Sequence, residues 1–377
     1  ECLLLAGESQ WSRHGGTILR HVTAAGLDRR DFLRLAALGT LGIAAACSSD
    51  SPGTVAPSPS PSTTGSPSPS PTVSTPRALA WTALPATGPV ARRDHTLTAN
   101  DGGTIAFLFG GRAAGKPLAD LWAFDRASNA WSRLTPAGGP PARFGHSAAF
   151  IDGHLVVFGG QGGPSAFFND SWAFDPVHGT WTKLSPQGGP PAARYGAGGT
   201  KIGTSLTITH GFTNTGRFDD TWALAARWTN VSPASGKPRP IKRCLHRTVY
   251  ISSLGRMLLF GGQTDGRPFL GDTWLYNPTN QEWAGTGGGA PTPRNLYALA
   301  ATTSTAYLFG GAGGQGATND LWSFDSQGWK KLRPTGLAPS ARSGVEGAIV
   351  TGPSMLMFGG AAGQSELADL WELTIPA

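Results

Sequence analysis

Six arginines recur through the chain about 50 residues apart: Arg92, Arg143, Arg194, Arg243, Arg294 and Arg342. A planar guanidinium suits carboxylate, sulfate or phosphate recognition, so a set of six is a candidate anion receptor. An equally direct reading makes each one a repeat residue that bonds loop carbonyls of its own unit. Three residues beyond these arginines stand His95, His146 and His246, with Ala197, Tyr297 and Val345 in the other copies. Three histidines suggest a metal. The odd offset, however, turns each away from its arginine if the segment is a strand, and the reading is that no metal is held. Cys244 and His246 would share a face, but Cys-x-His alone is a weak ligand pair. The candidate acid is Glu346, four residues after Arg342 and on the same alternating face; Asp94 is its main competitor.

A second set of candidates follows paired glycines: Arg112, Lys116, Phe167, Phe168, Arg217, Phe218, Arg267 and Phe269. Aromatic and basic side chains mixed in loops suit a protein, an acidic peptide or an anionic polysaccharide. The alternative is that the phenylalanines tuck under their own loops. Gly159-Gly160-Gln161-Gly162-Gly163 looks superficially like a phosphate loop, but it opens no helix and so lacks the dipole such loops use.

The elements that position these residues are repeats. Apolar runs end in Gly-Gly at Gly110-Gly111, Gly159-Gly160, Gly261-Gly262, Gly310-Gly311 and Gly359-Gly360, with Thr209-His210-Gly211 a degenerate third copy. An Asp-x-Trp follows each, from Asp120/Trp122 to Asp369/Trp371, and a further Trp closes the first five copies. Each copy reads as four short strands: an inner one opening at Arg-x-x-His, one ending in Gly-Gly, one carrying Trp-x-Phe-Asp, and one carrying Trp-x-x-Leu. The sixth copy ends without its Trp-x-x-Leu, which is found instead at Trp81-Thr82-Ala83-Leu84. The N-terminal strand is therefore expected to complete the last unit.

The Gly pair, the spaced acidic-aromatic strand and the closing Trp resemble the Kelch family over Trp81 to the C-terminus. The resemblance implies an all-β fold over 78–377: a six-bladed Kelch β-propeller with four antiparallel strands per blade. It further implies that the inner strands line a central channel, that the six arginines encircle its mouth, and that the post-glycine loops share that face. Enzymes exist on the fold. Copper-radical sugar oxidases of this superfamily need a Tyr, His and Cys-Tyr set for which the five tyrosines and Cys244 give no match. Sialic acid mutarotases are the alternative reading: a carbohydrate-processing enzyme using Glu346 and channel arginines. The preferred reading is a non-catalytic binding or scaffolding module, without cofactor, for a protein or an acidic saccharide.

Residues 1–47 read as an export signal. Asp28-Arg29-Arg30-Asp31-Phe32-Leu33-Arg34 resembles the twin-arginine motif, and the apolar stretch from Leu33 to Ala46 is too short to span a bilayer. Residues 1–21 fit neither signal nor domain, and a start at Val22 would leave a conventional signal. Ala44-Ala45-Ala46-Cys47 resembles a lipobox, which implies lipidation of Cys47; ordinary cleavage near the alanine run is the other reading. Residues 48–77 are rich in Ser, Pro and Thr and read as an extended tether. The expected setting is cell-surface or periplasmic, with membrane contact only through the lipid, and a monomer.

Composition agrees with an all-β repeat protein. The 377 residues include 54 Gly, 30 Pro and 13 Trp, with only 14% charged. The net charge of +7 is spread along the chain rather than clustered, so no nucleic acid partner is expected. With Cys2 and Cys47 outside the folded part, Cys244 has no intradomain disulfide partner.

Overall fold

The computed structural model describes residues 78–85 and 87–376. The segments expected to be an export signal (1–47, with Cys47 in the lipobox-like stretch) and a tether (48–77) lie outside the described residues. Among the described residues there is no helix. Short strands rich in β-branched and aromatic residues alternate with Gly and Pro turns, so each hairpin forms locally and four strands complete an antiparallel sheet.

Blade 1 is typical: Thr96–Ala99, Ile105–Phe109, Leu121–Asp125 and Ala130–Leu134, paired in that order. Blades 2 to 5 repeat the pattern from inner strands Ser147–Ile151, Gly198–Ile202, Arg247–Ile251 and Ala298–Ala301. The last sheet holds Glu346–Val350, Ser354–Phe358 and Leu370–Thr374, and Ala80–Leu84 lies on its outer edge with Trp81 opposite Leu373.

The inner strands begin four residues after each repeated arginine, not at it. Two residues past every arginine the backbone turns left-handed: Asp94, Gly145, Gly196, Leu245, Leu296 and Gly344 have φ between 55° and 66°. The parity argument therefore fails across this segment. Arg and His are not forced to opposite faces, nor Arg342 and Glu346, nor Cys244 and His246, to the same one. These six residues also form a closed cycle of backbone hydrogen bonds. Each N–H donates to the carbonyl of its counterpart in the preceding blade, and Asp94 donates to Gly344 at 2.9 Å.

The core lies between blades. Six apolar clusters each join two neighbours, and one of them packs Leu97, Leu108 and Phe124 of blade 1 against Val350, Leu356 and Phe358 of blade 6. The aromatic contact that recurs sets the Phe before a Gly pair against the outer-strand Trp of the next blade. Phe109–Trp181, Phe158–Trp228, Phe260–Trp329, Phe309–Trp81 and Phe358–Trp131 have ring centroids 4.8–5.5 Å apart. Edge and tilted contacts of this kind stabilise beyond the area they bury.

The degenerate third copy keeps this contact by another route. Thr209 occupies the Phe position, and the ring of His210, at the first glycine position, reaches Trp283 with centroids 6.3 Å apart. His210 is fully buried, its Nδ1 is 2.7 Å from Thr209 Oγ1, and burial pulls its pKa down to about 3, so it stays neutral.

Gly145→Ala tests the cycle. A Cβ there would lie 2.3 Å from Tyr195 Cδ2, whereas one at Gly153, also left-handed, meets nothing within 4 Å. Gly153→Ala should cost only the backbone term of about 1–2 kcal/mol. Gly145→Ala should cost clearly more, read as a lower midpoint in thermal melts of the two variants.

Candidate interaction face

The six repeated arginines are not free receptors. All are buried, and each spends its guanidinium inside its own blade. In blade 2, Arg143 Nε donates to Pro141 O at 3.0 Å, and Nη1 donates to Gly159 O at 2.8 Å and to Asp170 Oδ1 at 2.7 Å. Nη2 donates to Asp170 Oδ2 at 2.9 Å, and the indole N–H of Trp172 donates to the same oxygen at 2.7 Å. The same bidentate pair joins Arg92 to Asp120, Arg194 to Asp220, Arg243 to Asp272, Arg294 to Asp320 and Arg342 to Asp369. This corrects the expectation of an arginine ring open to an anion: the anion is the repeat's own aspartate. The Trp of Asp-x-Trp thereby gains its polar partner, and it is the outer-strand Trp that enters the interblade core.

The arginine backbone is bound to the preceding blade. Arg143 N–H donates to Leu118 O, and Gly111 N–H donates to Arg143 O, both at 2.9 Å. Each arginine thus fastens two blades, with main chain on one and side chain on the other.

The post-glycine loops fold as small hairpins: Arg112–Ala113 with Lys116–Pro117, Gln161–Gly163 with Ala166–Phe167, Phe212–Thr213 with Gly216–Arg217, and equivalents in blades 5 and 6. In blade 4 the hairpin shrinks to a bridge between Thr264 and Arg267. Phe168 and Phe218 are not loose on these loops. They lie flat under Arg143 and Arg194, 4.3 and 4.1 Å from guanidinium to ring centroid. Phe269 is half-buried, while Arg267 and Lys116 are exposed. Arg217 is buried and ion-paired with Asp265.

The structure gathers an aromatic set of which the sequence singled out only Phe167. Phe144, Tyr195, Phe212 and Phe167 form a continuous edge-to-face row, with centroids 5.7, 6.4 and 6.1 Å apart in that order. Arg112 stacks over Phe144 at 4.9 Å and Arg217 over Phe212 at 5.2 Å. Phe144 and Tyr195 directly follow repeated arginines, and Phe212 directly follows Gly211 of the degenerate third copy; the bridge Tyr195–Phe212 brings the two positions together. In blades 5 and 6 the same positions hold Asn295, Ser343, Ala312 and Ala361. The signal was an aromatic residue after the arginine in blades 2 and 3 and after the glycine in blade 3, at positions that are small or polar in blades 5 and 6. Beside this row, Arg112 Nε donates to Asp94 Oδ2 at 2.7 Å, and Glu366 accepts from Ala114 N–H at 2.7 Å.

Glu346 lies in the channel, away from the six arginines. Its partner is Arg247, 2.7 Å away from blade 4, a residue the sequence reading passed over. Burial pushes Glu346 up to about 7, Arg247 opposes this, and Asp94 adds to it. His95, His146 and His246 are fully buried, and burial lowers their pKa well below 6.5, so they are neutral. His146 Nε2 meets Thr96 Oγ1 at 2.9 Å, and His246 Nε2 accepts from Gly198 N–H at 3.3 Å. Among the described residues no group of three His, Cys, Asp or Glu is placed to hold a metal. Cys244 is buried and is not in a disulfide.

Comparison with known proteins agrees with this architecture. The KLHDC2/KLHL20/DRC7 Kelch-repeats domain matches residues 65–243 and 225–376. The chain belongs to the Kelch-repeat family. It is 30% identical over 236 residues to the serine/threonine-protein phosphatase BSL2 of Arabidopsis thaliana, covering 58% of this chain and 23% of that protein. It is 26% identical to the leucine-zipper-like transcriptional regulator 1 homolog of Drosophila melanogaster, over 64% of this chain and 26% of that protein. It is 27% identical to Kelch domain-containing protein 3 of Bos taurus over 302 residues, covering 70% of this chain and 76% of that protein. The first two relatives are thus matched over about a quarter of their length. Kelch repeats mediate protein–protein interaction in general, and this chain is such a module.

The buried pairs set acid stability. Burial alone would raise the aspartates; hydrogen bonds from Arg and Trp outweigh it and lower all six, Asp320 to about 2. Groups depressed on folding stabilise above their unfolded value near 3.8 and lose that contribution as pH falls toward 2. Acid unfolding should therefore set in below about pH 4. Asp170→Asn strands Arg143 without a full charge partner and should cost about 3–5 kcal/mol in urea melts at pH 7. Arg143→Met with Asp170→Leu should lose less than that single change.

Proposed function

We propose that this chain is an exported, tethered Kelch module that binds a protein through its hairpin face. The observation that carries the reading is the row Phe144, Tyr195, Phe212 and Phe167 flanked by Arg112 and Arg217. Lys116, Lys242 and Arg267 are exposed, and they favour an acidic segment bearing apolar side chains. An anionic saccharide becomes the weaker ligand class, because the six repeated arginines are already paired. For the same reason a mutarotase-type reaction loses its arginine ring, and catalysis is not part of this reading. The twin-arginine-like signal, the Ser/Pro tether and Cys47 support a cell-surface or periplasmic setting with a lipid anchor, and the protein is read as a monomer.

The test is site-specific photocrosslinking in the full chain, expressed in an exporting bacterium. A photoreactive residue in place of Phe212 should give one discrete protein adduct in the envelope fraction, lost when Tyr195→Ala and Phe144→Ala are added. The same probe in place of Ser326, beyond the third strand of blade 5, should give none. Equal labelling from both positions, or an adduct indifferent to the alanines, would remove the proposed face.

A further inference from the structure

The channel between the six inner strands holds a cavity of about 220 Å³, separate from the hairpin face. Thr96, Thr98, Ser147 and Thr248 bring hydroxyls to its wall, and alanines and glycines such as Ala149, Gly199 and Ala348 keep it open. At one end stands the backbone cycle through Asp94 and Gly344. Hydrogen-bonded backbones lie about 4.8 Å apart, so a cycle of six spans only about 10 Å between opposite main chains and narrows the channel there. At the other end Asp101 and Lys201 pair with each other, Asp101 exposed and Lys201 half-buried. That end is the entrance.

Arg247 and Glu346 also line the cavity, bound to each other across it. Arg247 Nε and Thr248 Oγ1 are buried and have no hydrogen-bond partner among the described residues. Buried donors are nearly always satisfied, by protein, water or a guest. Two idle donors beside a guanidinium in a roomy polar cavity point to an acceptor-rich guest. The volume admits a molecule of a few heavy atoms and excludes a peptide or an oligosaccharide.

We propose that this cavity is a receptor for a small monocarboxylate, which binds Arg247 in exchange for Glu346 as Glu346 takes up one proton. The charges balance. The guest brings one negative charge to Arg247, a proton from solvent neutralises the released Glu346 carboxylate, and the carboxylic acid then donates a hydrogen bond within the site. A divalent oxyanion would leave one charge uncompensated, so the site discriminates by charge. Burial and Asp94 already hold Glu346 near pH 7, where protonation is within reach. The other groups facing the pair do not compete for the proton. His95, His146 and His246 stay neutral, burial raises Tyr297 far above its ordinary value, and Lys201 and Asp101 sit at the entrance already paired.

The experiment is calorimetric titration of the full chain with propionate, and separately with sulfate, at pH 6 and pH 8. Expected are binding of propionate with close to one proton taken up at pH 8 and little at pH 6, read from buffers of different ionisation enthalpy, and an affinity about tenfold lower at pH 8. Sulfate should bind weakly or not at all. Glu346→Gln, nearly isosteric, should still bind propionate but with no pH dependence, and Arg247→Met should bind none while its circular dichroism is unchanged. Should Arg247→Met fail to fold, Thr248→Val takes its place, with weakened binding expected. Silence toward millimolar propionate at pH 6 would overturn the proposal. So would sulfate binding as tightly as propionate, or a pH dependence that survives Glu346→Gln.

Discussion

A guanidinium taken out of water must find a carboxylate and fill its remaining donors, and that requirement organises this molecule six times over. Leaving either partner alone in a blade is far more costly than losing both together. Each Arg–Asp pair therefore fixes three things at once: where the segment entering the inner strand lies, how the glycine turn presents its carbonyl, and where the Trp after the aspartate puts its indole N–H. Because the arginine main chain is bonded to the preceding blade, one buried pair also sets the position of a neighbour. The left-handed turn that follows, and with it the hydrogen-bonded cycle around the channel, inherits its geometry from this anchor.

That arrangement divides the labour between two regions. The repeated positions are consumed by structure, so they carry no variable chemistry. Three positions that differ between blades carry the chemistry described above: the residue after each arginine, the residue after each glycine turn, and the first residue of each inner strand. The first two supply Phe144, Tyr195 and Phe212 of the aromatic row on the hairpin face. The third is Thr96, Ser147, Gly198, Arg247, Ala298 and Glu346 around the channel, and the one charged pair among them comes from blades 4 and 6. Binding functions on such a scaffold are written where the repeat is silent.

The sequence made the blades legible because Gly-Gly, Asp-x-Trp and the outer Trp mark strand ends by type and spacing. Sixfold recurrence of the arginines fitted either a ring of receptors or a contact repeated within each unit, and the second holds. What stayed hidden was the partner, an aspartate nearly thirty residues away and itself sixfold. The pairing joins two motifs that were read separately. Period-2 reasoning failed between Arg342 and Glu346 because one left-handed residue breaks the alternation, and nothing in Leu245 or Leu296, unlike a glycine, announces such a turn. The Arg247–Glu346 contact spans two blades, and no spacing rule within a repeat could reveal it.

The Thr209-His210 exchange keeps the volume beside Trp283 occupied by a different residue. Compared with the other copies the ring stands one position further along the chain, in the place of Gly rather than of Phe, and the contact is still made. Such a change is epistatic in both directions. A phenylalanine restored at 209 would meet a space already filled by imidazole, and a glycine restored at 210 would empty it with only threonine behind. The two substitutions are tolerable as a couple and damaging apart. The third blade is tied to its own pair as firmly as the other five are tied to Phe and Gly.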